Sequence, residues 1–196
     1  MALHDTQPDA PLSPIYLNLR TPHHPNPDKR GPLSDDTMNR IGEQFGHMAF
    51  RSRDCFVGLP DAGEPFADQL ERTATRHGLP ITRLYLHKIA GSREIADLVD
   101  GTYEHGESCL LVDDLITQAD SKLRAIRVLQ GNGLNVEEIL VLVDRQQGGA
   151  AQLEKLGYQL RSVFKLDELL AFYVEEGLLP RRKAEEVLAY IRANQV

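Results

Sequence analysis

The sequence predicts an α/β domain in which a mostly parallel, twisted sheet is flanked by helices. Apolar runs of strand length alternate with helical patterns from about residue 34 onward, and this alternation is typical of a parallel sheet covered on both faces. The apolar run that begins at Ser108 ends in two adjacent carboxylates, Asp113 and Asp114, and a polar loop then leads into a helical pattern near Lys122. The 196 residues are enough for one such domain with a full core and few for two.

The first 33 residues differ in composition from the rest of the chain. Seven of the eleven prolines lie there, and proline fixes φ and removes a backbone donor. We therefore predict that residues 1–33 form an extended arm, or hood, with one strand-like piece at residues 15–19. Residues 34–196 are predicted to form the α/β domain and to end in two helices.

The elements of the domain follow in order from Ser34, which is a good N-cap, with Asp35 and Asp36 as an acidic first helical turn. The predicted helices are 34–50, 65–77, 121–130, 149–156, 167–176 and 181–194. The predicted strands are 54–58, 83–87, 108–112, 136–143 and 158–164. Residues 88–107 contain glycines and charges with little periodicity, so they are predicted to form a loop or flap.

The composition excludes some classes of function. A net charge of -7 argues against general nucleic-acid binding, and no apolar run approaches the roughly 18 residues that a membrane span needs. The N-terminus has neither a basic start nor an apolar stretch, so we expect no secretory signal. Cys55 and Cys109 fall in predicted strands and are expected to be buried free thiols. We therefore expect a cytoplasmic protein.

Three loops should gather at one edge of the sheet, because each follows the carboxyl end of a predicted parallel strand. The glycines of loop 58–65 allow close backbone approach to a ligand, although an ordinary strand-to-helix turn is the favoured explanation of that loop taken alone. Loop 144–149 carries Arg145, which could donate paired hydrogen bonds to a carboxylate or a pyrimidine carbonyl. An ion pair of Arg145 with Asp144 or with another acid is the alternative.

The loop after Asp113 and Asp114 is the strongest candidate for a ligand site. The two carboxylates could hold a sugar diol, or a metal ion through water. The helix N-terminus that follows favours an anion such as phosphate. One strand-loop-helix unit would then bind both ends of a phosphorylated sugar. The alternative is a structural role, in which the acids make only capping and turn hydrogen bonds.

Several segments resemble a known family. Residues 112–117, Val-Asp-Asp-Leu-Ile-Thr, resemble the ribose-phosphate signature of type I phosphoribosyltransferases. Residues 141–149 and 160–169 are similar to orotate phosphoribosyltransferases, and Ser-Pro-Ile-Tyr-Leu-Asn-Leu-Arg at 13–20 is similar to their N-terminal strand. The order and spacing match over roughly residues 13–192. The resemblance implies the type I phosphoribosyltransferase fold, with an N-terminal hood and C-terminal helices.

The resemblance also implies a reaction and a set of roles. Orotate would attack the anomeric carbon of 5-phosphoribosyl pyrophosphate (PRPP) and give orotidine monophosphate and pyrophosphate. Mg²⁺ would be bound through the pyrophosphate and water, with no direct protein ligand, and the protein would be a homodimer whose flap reaches the neighbouring site. The implied assignments are Asp113 and Asp114 for the ribose hydroxyls, Thr117, Gln118, Ala119, Asp120 and Ser121 for the 5-phosphate, Asp61, Ala62 and Gly63 for the pyrophosphate, Arg145 for orotate, and Lys88 and Arg93 as catalytic cations of the flap.

Some positions depart from the family pattern. Ala119 replaces a glycine, which would cost on the order of 1 kcal/mol if that position needs a positive φ. Asp120 sets a carboxylate beside the proposed phosphate, and like charges about 4 Å apart repel by about 4 kcal/mol at an effective dielectric constant near 20. In the flap, Gly91 stands where the family has an important lysine. The double substitution of Ala119 and Asp120 by glycine is therefore expected to strengthen phosphate binding.

These departures leave two alternatives to an active orotate enzyme. One is a catalytically weak or inactive relative that serves as a nucleotide-binding or regulatory protein. The other is an enzyme on the same scaffold with a less anionic or a cationic acceptor, which fits the acidic loops but which no specific residue supports.

Overall fold

The computed structural model describes residues 13–23, 26–49, 53–92 and 94–195. Within these residues a short 3-10 helix, Pro27–Lys29, precedes six α-helices and six strands. The helices are α1 (Asp35–Ala49), α2 (Glu64–Arg76), α3 (Asp120–Gly131), α4 (Gly149–Lys155), α5 (Leu166–Glu175) and α6 (Arg181–Ala193). The strands are β1 (Cys55–Gly58), β2 (Thr82–Lys88), β3 (Ile95–Asp100), β4 (Cys109–Ile116), β5 (Glu138–Asp144) and β6 (Gln159–Lys165).

The strands form one sheet in the order β3-β2-β1-β4-β5-β6. All neighbouring strands are parallel except β2 and β3, which are antiparallel. From β1 the chain moves outward to β2 on one side, whereas from β4 it moves outward to β5 and β6 on the other. The strand order therefore reverses between β1 and β4, and the carboxyl ends of strands at such a reversal form a crevice where ligands bind.

The central strands are buried on both faces by separate apolar clusters. Alternate side chains of β1 and β4 face opposite sides, as strand geometry requires. Val57 and Leu111 belong to the cluster that includes Ile126 and Leu129 of α3. Phe56 belongs to the other cluster, which includes residues of α1 and α2 such as Phe45 and Phe66. A third cluster joins α5 and α6, and Ile15 and Leu17 pack against it. The predicted α/β architecture is confirmed.

The predicted elements differ from the observed ones in a few places. Residues 88–107 are not one long loop, because β3 pairs there with β2 and places Val99 in the core. Residues 15–19 do not join the sheet as a strand, although Leu17 and Leu19 pack on the core. The strand predicted at 108–112 extends to Ile116, because β5 pairs with it through Leu115 and Ile116. The C-terminal end predicted for the first helix, Phe50, lies outside the described residues.

Two other predictions, the cap of the first helix and the burial of the two cysteines, are confirmed by the structure. Ser34 caps α1, since its Oγ accepts a hydrogen bond from Thr37 N at 3.3 Å. Cys55 and Cys109 are buried free thiols that lie opposite each other on β1 and β4. In the described part of the chain, no helix is both long and apolar enough to cross a membrane.

Candidate functional site

The three predicted loops do meet at the carboxyl edge of the sheet. Backbone hydrogen bonds join them: Leu59 N donates to Val112 O at 2.8 Å, and Arg145 N donates to Ile116 O at 3.0 Å. A further bond, from Gly149 N to Thr117 O at 3.0 Å, ties the end of loop 144–149 to the loop after β4. The loop after β4 therefore lies between the other two, at the reversal of strand order.

The loop after β1 contains Asp61, Ala62 and Gly63. Gly63 is buried, and a methyl group at its Cα would collide with the Val112 carbonyl oxygen, so only glycine fits this approach to β4. Asp61 is exposed with a φ of 71°, and its Oδ2 lies 2.5 Å from Lys88 Nζ. The structure thus pairs two of the predicted site residues, one from this loop and one from the end of β2.

The first carboxylate of the acid pair is compensated by a lysine inside the protein. Asp113 is 2% exposed, and its Oδ2 lies 2.5 Å from Lys122 Nζ. Lys122, in the first turn of α3, is 4% exposed, and its Nζ also donates to Leu115 O at 2.7 Å. A buried carboxylate needs such a partner, because an unpaired buried charge is strongly unfavourable. Asp113 therefore belongs to a neutral, internal ion pair.

The second carboxylate has a different environment. Asp114 is half-buried, and its Oδ1 accepts a hydrogen bond from Leu115 N at 2.6 Å. Burial, and then the negative charge of Asp113, raise the pKa of Asp114 to about 7. Near neutral pH the side chain is therefore divided between its acid and its carboxylate form.

The loop that was predicted to hold a phosphate has an ordinary backbone at its central residue. Ala119 has a φ of -87°, so the expected strain from replacing a glycine is absent. Its buried amide donates to Gln152 Oε1 at 2.9 Å. Relief of backbone strain therefore gives no reason for Ala119→Gly to strengthen phosphate binding.

The rest of this loop lies around the first turn of α3. Asp120 is exposed, and Thr117, Gln118 and Ser121 are half-buried. Asp120 is the first residue of α3, where a negative charge suits the helix dipole. Lys122 turns inward, but it pairs with Asp113 and leaves the charge of Asp120 uncompensated at this point.

Arg145 is held between the sheet edge and the N-terminal segment. It is 8% exposed, its Nη2 donates to Ser13 Oγ at 2.9 Å, and its buried Nε has no hydrogen-bond partner among the described residues. Burial lowers the pKa of its guanidinium. The alternative ion pair with Asp144 does not form between these two described residues, since Asp144 Oδ1 accepts from Gln146 N at 2.7 Å. Arg145 thus retains an unused donor in a buried setting.

Four residues of this region were missed in the sequence: Ser13, Lys122, Gln147 and Gln152. Gln147 is 1% exposed, and neither polar atom of its side chain has a hydrogen-bond partner in the part of the chain that the structure describes. Only Lys122 carried a local signal, because a lysine in the first turn of a helix opposes the helix dipole. The others depend on contacts between distant parts of the chain.

Arg93 lies outside the described residues, so its role stays a prediction. Within the described ranges, no group of three or more His, Cys, Asp or Glu side chains is arranged to hold a metal ion. Two surface clefts lie away from the carboxyl edge, one beside Asn39 and Arg72 of α1 and α2 and the other beside Glu154 and Tyr158. The carboxyl edge is therefore defined as a candidate site by its chemistry and topology.

Comparison with known proteins agrees with this topology. No protein-family model matches the chain. An orotate phosphoribosyltransferase of Sulfurisphaera tokodaii is 28% identical over 186 residues, which is 93% of this chain and 87% of that protein. The uridine 5'-monophosphate synthase of Bos taurus is 28% identical over 187 residues, which is 93% of this chain but 36% of that protein. This chain therefore spans about a third of the length of that relative.

A solved structure shares the fold. The UMP synthase of Leishmania donovani matches with a TM-score of 0.68 and 27% identity, over 80% of this chain and 33% of that one. The fold is that of the type I phosphoribosyltransferases. The chain is similar to orotate phosphoribosyltransferases and UMP synthases over most of its length, so the predicted resemblance is confirmed.

Proposed function

We propose that this protein transfers the 5-phosphoribosyl group from PRPP to orotate. The observation that carries the proposal is the acid pair of β4, which lies at the reversal of strand order and directly precedes the N-terminus of α3. Carboxylates there can accept hydrogen bonds from sugar hydroxyls, while the helix N-terminus favours the 5-phosphate. The printed names of the relatives support the choice of orotate as the acceptor.

The proposed arrangement follows the order of the three loops. The 5-phosphate would lie at residues 117–121, the ribose hydroxyls at the acid pair, and the pyrophosphate near Asp61, Ala62, Gly63 and Lys88. Orotate would lie beside Arg145, whose unpartnered Nε–H is suited to a carboxylate or carbonyl oxygen. The protein would act mainly by positioning the reactants and by stabilising charge as the bond to pyrophosphate breaks.

The chemistry of the site fits Mg²⁺ bound together with PRPP. Carboxylate oxygens such as those of Asp61 and Asp114 are the hard ligands that Mg²⁺ prefers, usually through water and substrate phosphates. When bound, the ion would supply positive charge to the leaving pyrophosphate. Lys88 would add a cation at the same end, because its pair with Asp61 is exposed and can exchange for an anion.

The acidic side chains of the site repel an anionic substrate less than the sequence alone indicates. Asp113 is neutralised by Lys122, and Asp61 is paired with Lys88. Asp114 is only partly ionised near neutral pH, since its pKa is about 7. Asp120 is the acid at this edge that still opposes a phosphate directly.

A second candidate function is a weakly active or inactive relative that binds PRPP or a nucleotide without efficient turnover. Two observations favour it: the amide of Ala119 is already bonded to Gln152, and Asp120 is exposed beside the proposed phosphate position. Both would weaken phosphate binding. We also propose, from the resemblance, a cytoplasmic homodimer in which the flap with Lys88 and Arg93 reaches the partner's site.

Calorimetry followed by spectroscopy tests these proposals. PRPP is titrated into the protein with Mg²⁺, and orotate is then added while its ultraviolet absorbance is followed. Heat together with an absorbance change supports the orotate enzyme, whereas heat without turnover supports the binding protein. The absence of both heat and an absorbance change would overturn both proposals.

Arg145→Gln tests the assignment of the orotate end. We expect the KM for orotate to rise at least about tenfold, because a charge-assisted hydrogen bond is lost. Arg182→Gln, an exposed arginine of α6, is the matched control and should leave the kinetics as they are. An unchanged KM for orotate in Arg145→Gln would show that Arg145 does not contact orotate.

A further inference from the structure

We propose that Gln152 is an internal competitor for phosphate: its side-chain oxygen occupies a backbone N–H of the loop after β4, and the phosphate of a ligand displaces it. The inference rests on the proposed function, because it concerns the 5-phosphate of PRPP. It identifies the residue that limits the affinity of this loop for phosphate, and it describes how a ligand removes the limit. On this inference, the contact between Gln152 and Ala119 opens whenever PRPP is bound.

The helix beside the proposed phosphate position begins without a capping side chain. Ala119 is the N-cap residue of α3, and it offers no side-chain acceptor to the amides of the first turn. The first four N–H groups of a helix also lack acceptors within the helix. One of them, Ala119 N, donates instead to Gln152 Oε1 at 2.9 Å, across 33 positions of the chain. An oxygen from α4 thus lies where an oxygen of a phosphate would otherwise accept.

The side chain of Gln152 is free to move away. Its Oε1 accepts from Ala119 N, whereas its Nε2 donates to no acceptor among the described residues. The side chain is half-buried, so a change of rotamer can turn it toward solvent. The helix itself need not shift, because Leu153 is fully buried in the core and Gly149 N donates to Thr117 O at 3.0 Å. Release of the amide is therefore a local event.

A phosphate oxygen is the better acceptor for this amide. Hydrogen bonds to an ionised acceptor are roughly twice as strong as those between neutral groups, and the carboxamide of Gln152 is neutral. Ala119 has no exposed surface, so a ligand reaches its N–H only after Gln152 has turned away. Breaking the contact with Gln152 therefore opposes phosphate binding and lowers the affinity of the loop, but it does not prevent binding.

Two substitutions of Gln152 change its strength as an acceptor in opposite directions. Gln152→Met keeps the length of the side chain and removes the carboxamide oxygen, whereas Gln152→Glu supplies an ionised and stronger acceptor. The dissociation constants of PRPP and of pyrophosphate, each with Mg²⁺, are measured by calorimetry. Pyrophosphate lacks the 5-phosphate, so its constant reports changes in the rest of the site.

For Gln152→Met we expect the Kd of PRPP to fall by about threefold to tenfold, because no internal contact has to break. For Gln152→Glu we expect it to rise at least about tenfold. In both variants the Kd of pyrophosphate should change less than about twofold. Gln152→Met should also lower the urea midpoint of the unliganded protein, because Ala119 N–H loses its acceptor.

Two exposed positions provide matched controls. Gln44→Met, on α1, makes the same exchange away from the site, and Ala151→Glu adds the same charge to α4 beside Gln152. Each should change the Kd of PRPP by less than about twofold, since exposed charges are screened by water and salt. The effect of Gln152→Glu beyond that of Ala151→Glu is then due to the stronger contact with Ala119.

An unchanged or higher PRPP constant in Gln152→Met would overturn the inference, because a contact that only supports the fold gives that result. If Gln152→Met does not fold, Gln152→Glu decides: a tenfold rise beyond Ala151→Glu supports the inference, and an equal change in the two variants overturns it. Failure of the wild type to bind PRPP would overturn the proposed function and this inference with it, whereas binding by the wild type without the expected changes overturns this inference alone.

Discussion

Two lysine–aspartate pairs lie at the same edge of the sheet, and their geometry is nearly identical. In both Lys122–Asp113 and Lys88–Asp61, Nζ lies 2.5 Å from Oδ2. The first pair is 5% and 2% exposed, whereas the second is 35% and 72% exposed. Distance therefore does not distinguish these pairs, and burial does.

The difference shows how the same chemistry serves two purposes. In the interior, little water screens the charges, so each member of the buried pair holds the other in place. At the surface, water and salt screen the pair, so its net contribution to stability is small and either member can exchange for a ligand. We infer that the buried pair shapes the site and that the exposed pair takes part in binding.

The largest expected effect on stability comes from breaking the buried pair. Lys122→Met should lower the free energy of unfolding by about 3–5 kcal/mol, because Asp113 is left as an unpaired buried carboxylate. Urea denaturation followed by circular dichroism measures this change. The second substitution, Asp113→Asn, should recover most of the loss. A loss under about 1 kcal/mol for Lys122→Met would show that the pair is not buried in solution.

A smaller effect is expected at the carboxyl group beside the buried pair. The pKa of Asp114 is raised to about 7 by burial and by Asp113, compared with about 3.9 in an unfolded chain. The folded state thus binds the proton more tightly, and the stability that this contributes is complete below about pH 4 and is lost as the pH rises through about 7. Above about pH 7, the ionised side chain of Asp114 therefore lowers the stability of the folded state.

Asp114→Asn removes the buried negative charge that destabilises the folded state at high pH. The variant should be more stable than the wild type by about 1–3 kcal/mol at pH 8, and the difference should shrink toward pH 5. Urea denaturation at the two pH values measures it. Asp36→Asn, an exposed acid of α1, shows the general effect of removing one negative charge at each pH. A stability difference that is the same at both pH values would contradict the prediction.

The smallest effect is expected for the exposed pair. Lys88→Met should change the free energy of unfolding by less than about 1 kcal/mol, because the pair is solvated and screened. Raising the salt concentration should reduce even this difference. Thermal unfolding at low and high salt provides the measurement. A loss as large as that of Lys122→Met would remove the distinction between the two pairs.

Much of this protein was predictable because local patterns decide it. The alternation of strands and helices predicted the parallel sheet, and from Ser34 onward the boundaries of the predicted elements that form agree with the observed ones to within about two residues, apart from β4. The end of an apolar strand placed Asp113 and Asp114 at the carboxyl edge, since that edge collects the loops of every parallel strand. The burial of Cys55 and Cys109 followed from the same apolar runs.

The partners of the site residues could not be predicted in this way. Ser13 and Arg145 are 132 positions apart in the chain, and Asp61 and Lys88 are 27 apart, so no periodicity relates them. β3 pairs antiparallel with β2 at one edge of the sheet, and a local sequence pattern does not show that this edge is open to a further strand. Even the short step from Asp113 to Lys122 required the turn between β4 and α3 to point the lysine inward.

The sequence by itself determined the class of fold, the position of the acids and the family that the chain resembles, because residue period and strand order are local properties. Only the tertiary structure decided which acid is buried against a lysine and which is half-buried. Burial and charge pairing depend on what the folded chain brings together, and a buried partner changes the behaviour of a carboxylate more than its identity does.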